Sequence, residues 1–389
     1  MQSVKFLTPS VIVYGAGAVN AVGEETAKLG VKKVLIVTDK IMVQLGNVEL
    51  VTKSLEAKGI GYEIYDGVAM EPTLEFVEAG LEIYKKCNCE GLLAIGGGSP
   101  IDTAKAISVM TVNEGSLRDY KGMDKIPLKG KPIIAVSTTS GTGSEATKVS
   151  IITDTENDVK MLLGSQYMLP DVAIADPMLT LAKPQSLTAA TGIDALTHAI
   201  EAYVSVKANP MSDTFALSAI KLISKNLRMA WANGNNVEAR SNTMLGALQA
   251  GIAFNNSSVA LVHGMARPLG AVFHVPHGVS NAVLLKSVME FSLSGNPGRY
   301  ADIAAAMGEN IEGLNEMDAA DLAVSSVERL IADIKVPSLK DLGIDRDKML
   351  SISEKMAIDA IDSGSPGNNP RKPTKEEIME LYKAAYDAR

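Results

Sequence analysis

Runs of β-branched and aliphatic residues alternate with helical stretches up to Lys183, and beyond Pro184 the β signal disappears. No other feature of the chain narrows its fold so far. VIVYG (11–15), VKKVLIVTD (31–39), GYEIYDGV (61–68), GLLAIGGGS (91–99) and PIIAVSTT (132–139) read as strands, with helical segments at 48–59, 74–87 and 100–111 between them. Strands joined through helices run parallel, because a tight hairpin cannot connect them. The expectation is a doubly wound, mostly parallel sheet with helices on both faces. VSIITD and DVKMLLG look like an added strand pair before DVAIADP (171–177). From SLTAATGIDALTHAIEAY onward every segment carries helical periodicity, and the last begins with a capping box, Thr374 and Glu377. The fold class is therefore α/β followed by all-α, divided as residues 1–183 and 184–389.

A chain of 389 residues suits two such domains, and 46% hydrophobic residues fill two cores. The net charge of −8 argues against non-specific nucleic-acid binding, which needs a basic face. No stretch approaches the roughly 18 consecutive apolar residues of a membrane span. The start, MQSVKFLTPSVIVYG, does not read as a signal peptide. The two cysteines, Cys87 and Cys89, read as reduced residues at the end of a helix, which suits the cytoplasm.

Two loops suit a nucleotide, and a third, Gly15-Ala16-Gly17, is a decoy. Gly96, Gly97 and Gly98 follow a strand, and Ser99 and Pro100 open a helix whose first N–H groups face an anion. This is not the dinucleotide fingerprint, since Ile101 stands where its third glycine belongs; Gly15-Ala16-Gly17 is a second near match, with Asn20 in that place. TTSGTGSE brings the hydroxyls of Thr138, Thr139, Ser140 and Thr142 to the end of another strand. Asp39, at the end of the second strand, can accept from both ribose hydroxyls and would repel a 2′-phosphate, which predicts NAD over NADP.

The chain has 4 histidines. Asp194 and His198 stand one helical turn apart and share a face. The other three histidines, His263, His274 and His277, lie close together in HGMARPLGAVFHVPH, where Pro268 and Pro276 are expected to break any single helix and a new one to start near His277. A set of Asp194, His198, His263 and His277 suits a borderline divalent ion such as Fe²⁺ or Zn²⁺. With no thiolate, it is not a structural zinc knot.

GGGSPIDTAK, STTSGTGSE, GIDALTHAIEAY, GIAFNNSS, VHGMARPLGAVFHVPHG and NPR (369–371) together resemble the iron-containing (group III) alcohol dehydrogenases, over almost the whole chain. The resemblance implies a dinucleotide-binding α/β domain, a helical metal-binding domain of the kind also found in dehydroquinate synthases, and an active site in the cleft between them. It implies that Asp194, His198, His263 and His277 ligate the metal. It puts Gly97, Ser99, Thr138, Thr139, Thr142, Lys160 and Leu179 in stretches that contact NAD, Asp39 at the position associated with NAD preference, and Phe254 near nicotinamide and substrate; Gly96, Gly98 and Asp102 are further cofactor candidates from the glycine loop and its helix, and Val149 and Val259 would complete a small apolar pocket. The catalytic set would be His263, His277, Arg267 and His274. Two departures stand out. Arg267 replaces a histidine that many members use for proton transfer, and arginine cannot act as a base near neutral pH. Glu71-Pro72 replaces an aspartate- or asparagine-containing turn.

The expected function is metal-dependent hydride transfer between NAD(H) and a small primary or secondary alcohol or aldehyde, with aldehyde reduction as the working direction and a homodimer or larger homo-oligomer as the assembly. The alternatives are a glycerol dehydrogenase- or dehydroquinate synthase-like enzyme on the same fold, and a non-catalytic assembly module.

Overall fold

The computed structural model describes residues 3–69, 71–157 and 159–388. The chain divides into two compact units, one from Leu7 to Leu181 and one from Ala182 onward that also takes the segment ending at Phe6. The first residues therefore do not belong with the sheet, as a simple cut at Lys183 has it. Their anchor is aromatic: the Phe6 ring stacks on Phe215 with centroids 5.9 Å apart.

In the sheet unit the strands are β1 (Val11–Tyr14), β2 (Lys33–Val37), β3 (Gly61–Tyr65), β4 (Gly91–Gly96), β5 (Gly122–Met123), β6 (Ile133–Ser137), β7 (Val149–Asp154), β8 (Val159–Gly164) and β9 (Val172–Ala175). The 6-stranded sheet has the order β1-β9-β6-β4-β2-β3 and is parallel at every pairing. Its inner strands β4, β6 and β9 are buried along their whole length, as strands covered on both faces must be, while the edge strands β1 and β3 are largely part-exposed. β7 and β8 pair antiparallel in a second sheet, the expected hairpin; Asp158 lies outside the described residues. The helices are α1 (Val22–Lys28), α2 (Lys40–Gln44), α3 (Asn47–Glu56), α4 (Leu74–Lys86) and α5 (Gly98–Met110). α5 starts at Gly98, before the sequence-based start at Pro100, so all of the first turn carries N–H groups toward the loop except at Pro100.

The second unit is helical throughout: α6 (Gln185–Val204), α7 (Pro210–Ala232), α8 (Val237–Ser257), α9 (Leu261–Phe273), α10 (His277–Ser292), α11 (Pro297–Ala306), α12 (Glu316–Asp333), α13 (Arg346–Ser351), α14 (Ser353–Asp362) and α15 (Lys375–Asp387). Its core includes Ile193, Leu196, Ala250, Leu261, Met265 and Leu284. Thr374 caps α15 through the predicted box, with Glu377 N donating to Thr374 Oγ1 at 3.2 Å and Thr374 N to Glu377 Oε2 at 2.9 Å. Pro268 does not end a helix. α9 runs through it to Phe273, because the burial of Leu261, Val262, Met265, Ala266 and Leu269 outweighs the roughly 3 kcal/mol that an internal proline costs. The chain then turns at His274, whose backbone is left-handed (φ 54°), and α10 starts at His277 as expected. Among the described residues no helix is long and apolar enough to cross a membrane.

Candidate active site

Three helices of the second unit bring the metal-ligating types together. Asp194 and His198 face inward one turn apart on α6, His263 is in the first turn of α9, and His277 is the first residue of α10. The ligand atoms of Asp194, His263 and His277 all lie within 4.8 Å of one another. Asp194 Oδ1 is 3.6 Å from Nε2 of His263 and 3.6 Å from Nε2 of His277. His198 joins them by ring contact: it stacks on His263 with centroids 4.4 Å apart and on Phe254 at 4.3 Å. Asp194 and His263 are buried, whereas the His277 side chain is 48% exposed, so the set is closed on one side and open on the other.

Two further residues complete the arrangement, and sequence reading passed over both. Glu201 Oε2 accepts from His263 Nδ1 at 2.6 Å, while its Oε1 accepts from the backbone N of Val262 (2.6 Å) and of His263 (3.3 Å). A carboxylate on Nδ1 fixes the ring and turns the Nε2 lone pair toward Asp194. Asn281 Nδ2 donates to Asp194 Oδ1 at 2.6 Å and lies 3.1 Å from His263 Nε2 and 3.3 Å from His277 Nε2. The helical spacing held the clue: Asp194, His198 and Glu201 share one face of α6, and His277 and Asn281 share one face of α10. Burial works to raise the Asp194 carboxyl, but His198, His277 and His263 hold it well below its ordinary value. Burial likewise opposes protonation of His263, and the carboxylates of Glu201 and Asp194 outweigh it, holding the imidazole up at about 9. The Glu201 carboxylate on Nδ1 raises the basicity of the nitrogen the ring can offer an ion once it is deprotonated.

Arg267 is one turn beyond His263 on α9, and its Nη1 donates to Ser365 Oγ at 3.3 Å. His274 is exposed at the helix end and takes no part in the ligand cluster. Val259 and Phe254 belong to this helical unit, while Val149 begins β7 in the sheet unit.

In the sheet unit the predicted loops meet at the carboxyl ends of β4 and β6. Gly96 has φ 155°, and a side-chain carbon there would come within 2.6 Å of Pro100 Cγ; one at Gly98 would come within 3.1 Å of Thr142 Cγ2. Glycine is thus required for the turn and for the loop-to-loop fit. Thr138 Oγ1, Thr139 Oγ1 and Ser140 Oγ are buried, with no hydrogen-bond partner among the described residues. Three such hydroxyls beside a helix N-terminus suit the oxygens of a nucleotide. Asp39 caps α2, accepting from Met42 N at 3.0 Å. Other expected contacts are engaged elsewhere. Asp102 accepts from Ser144 Oγ (2.5 Å) and Ile151 N (2.9 Å), which ties α5 to β7. Lys160 pairs with Glu71, the unusual residue of the Glu71-Pro72 turn, at 2.7 Å. Leu179 is 3% exposed and packs in the core around Val19, Ile95 and Ile174.

This combination of paired nucleotide loops and a carboxylate–imidazole cluster has close counterparts. Family models match residues 9–177 as iron-containing alcohol dehydrogenase and 188–386 as the C-terminal part of the Fe-containing alcohol dehydrogenase family. The chain belongs to the iron-containing alcohol dehydrogenases. It is 44% identical over 384 residues to the 1,3-propanediol dehydrogenase of Citrobacter freundii, covering 98% of each chain. It is 39% identical over 381 residues to the NAD-dependent methanol dehydrogenase of Bacillus methanolicus, covering 98% of this chain and 99% of that one. A crystal structure of a 1,3-propanediol oxidoreductase superposes with a TM-score of 0.96 at 43% identity, covering 99% and 100% of the two chains. The protein is accordingly an alcohol and aldehyde oxidoreductase that uses NAD(H) and a divalent metal. The residues present fit both groups: the carboxylate–imidazole cluster fits the ion, and the unpaired hydroxyls at the glycine loop fit the nucleotide.

Proposed function

We propose that Asp194, His198, His263 and His277 hold one divalent ion, Fe²⁺ first among them, with Zn²⁺ an acceptable substitute by ligand type. The observation that carries this reading is the convergence of Asp194, His263 and His277 within 4.8 Å, braced by Glu201. When bound, the ion acts as a Lewis acid on the oxygen of the substrate carbonyl. Glu201 keeps the His263 ring oriented for it, and the open side at His277 admits the substrate. Gly96, Gly97, Gly98 and Ser99 with Thr138, Thr139 and Thr142 receive the pyrophosphate and ribose oxygens, and Asp39 takes the adenosine ribose and turns away NADP. NAD(H) held there would supply or accept the hydride that interconverts alcohol and aldehyde. Arg267 stays protonated and relays no proton; the exposed edge at His277 supports proton exchange through water.

The substrate is a small primary or secondary alcohol or its aldehyde, and aldehyde reduction is the working direction. Relatives named for propanediol and methanol support this size range. The enzyme works in the cytoplasm, which two free cysteines support, and as a homodimer, which the exposed edge strand β1 supports through Val11 and Tyr14. His277→Ala tests the reading. The variant should lose bound metal and lose NADH oxidation with short aldehydes, followed at 340 nm. Full activity in metal-free protein would refute it.

A further inference from the structure

Arg267 differs from every other arginine of the described residues in what surrounds it. Arg118, Arg228, Arg299, Arg329, Arg346 and Arg371 each pair with a carboxylate. Arg240 is buried without one, yet gives N–H bonds to Gly234 O, Thr188 Oγ1 and Lys183 O. Arg267 has no carboxylate partner among the described residues, and its hydrogen bond there is the single long one to Ser365 Oγ, 3.3 Å. A guanidinium has five N–H donors in a planar fork. At the half-buried Arg267 the rest of that capacity has no partner among the described residues, and desolvation lowers its pKa below the ordinary arginine value. The carboxylate whose charge acts on it, Glu201, is already engaged at both oxygens by His263 and the α9 backbone.

Position adds a second constraint. Arg267 follows His263 by one turn of α9, so both side chains lie on one face, roughly 5–6 Å apart at Cβ. On that spacing, a carbonyl directed at the His263 cluster would leave the other end of a short substrate on the side of α9 that carries Arg267. A neutral hydroxyl there would accept one N–H. A carboxylate or sulfonate accepts two in parallel and supplies the missing counter-charge.

We propose that Arg267 selects aldehydes bearing a terminal oxyanion, carboxylate or sulfonate, about two or three carbons from the carbonyl. This rests on the metal-centred aldehyde reduction described above. It makes Arg267 a specificity-determining residue in place of a proton carrier.

The test uses the metal-loaded enzyme and NADH with three aldehydes: 4-oxobutanoate, a sulfonate of the same length, and butanal. Wild-type kcat/KM for an anionic aldehyde should exceed that for butanal by at least about 10-fold, and Arg267→Gln should reduce that ratio by about 10- to 100-fold, chiefly through KM. Arg267→Lys, which keeps the charge but not the fork, should retain part of it. The larger of the two anionic ratios identifies the preferred headgroup. Succinate should raise the Tm of the wild type and not of Arg267→Gln, a readout that needs no turnover. A wild type that prefers butanal overturns the inference. So does a variant that loses both substrates equally, or one that weakens NADH binding with the ratio unchanged. Equal stabilisation of both proteins by succinate overturns it too. If the wild type reduces none of the three, the underlying reading of an aldehyde reductase fails instead.

Discussion

The two units prepare their ligand sites from different materials. In the sheet unit the site is made of backbone and hydroxyls: glycines that let the chain turn and pack, and Thr138, Thr139 and Ser140, whose side-chain oxygens have no partner among the described residues. In the helical unit it is made of ionisable side chains from three helices, two of them held by a further residue: Glu201 holds His263 and Asn281 holds Asp194. The first kind of site is tuned by shape and tolerates little added volume. The second is tuned by charge and orientation and fails when a supporting partner is removed. The contrast predicts which substitutions damage stability and which damage only ligand affinity.

The strongest challenge to that contrast is Lys105, a cation buried together with the carboxylates of Asp102 and Glu145 beside the loops of the sheet site. Its Nζ donates to Ser144 Oγ (2.9 Å), Thr147 Oγ1 (3.0 Å) and Val149 O (2.9 Å), and lies 3.7 Å from Asp102 Oδ1. Burial pulls its pKa down to about 8, against the opposing pull of Asp102 and Glu145. Lys105→Met would leave Asp102 buried without a counter-charge and should destabilise the sheet unit by about 3–5 kcal/mol, read by urea denaturation. A loss under about 1 kcal/mol would mean that shape alone holds the loops together.

Glu201→Gln sharpens the contrast from the other side. The amide keeps the volume and can still accept from His263 Nδ1, but it no longer favours the basic ring. Metal affinity should fall about 10- to 100-fold in chelator competition, while NADH affinity by fluorescence titration stays at the wild-type value. Unchanged metal affinity would show that the three ligand helices fix the imidazole without help.

Much of this was legible in the sequence, and what was missed has a physical cause. The parallel sheet could be read because buried strands such as β4 and β6 are unbroken apolar runs punctuated by glycine. The nucleotide loops could be read because their residues are contiguous. The ligand histidines stood out because the chain has only 4. Glu201 and Asn281 did not, because acidic and amide residues are common and only the meeting of α6, α9 and α10 gives these two a role. Pro268 misled for a related reason: local propensity marks it as a break, and the burial of α9 overrides it. Asp102 and Leu179 belong to stretches expected at the cofactor, yet hydrogen bonding to Ser144 and packing around Ile174 occupy their side chains.

The smallest expected effect concerns Asp39, which has two possible duties. It caps α2 by accepting from Met42 N at 3.0 Å, a purely local role that any good cap could fill. It also stands at the end of β2, where a carboxylate repels the 2′-phosphate of NADP. Asp39→Ser separates the two, because serine caps a helix about as well but carries no charge. Stability should change by less than about 0.5 kcal/mol, whereas Asp39→Ala should cost about 1 kcal/mol through the lost cap. If the carboxylate reads the ribose, Asp39→Ser should also raise kcat/KM for NADPH relative to NADH by roughly 10-fold, the equivalent of about 1.4 kcal/mol. An unchanged cofactor ratio would reduce Asp39 to a helix cap and move the choice of NAD to the shape of the loops, which would make the sheet unit a site without any functional charge.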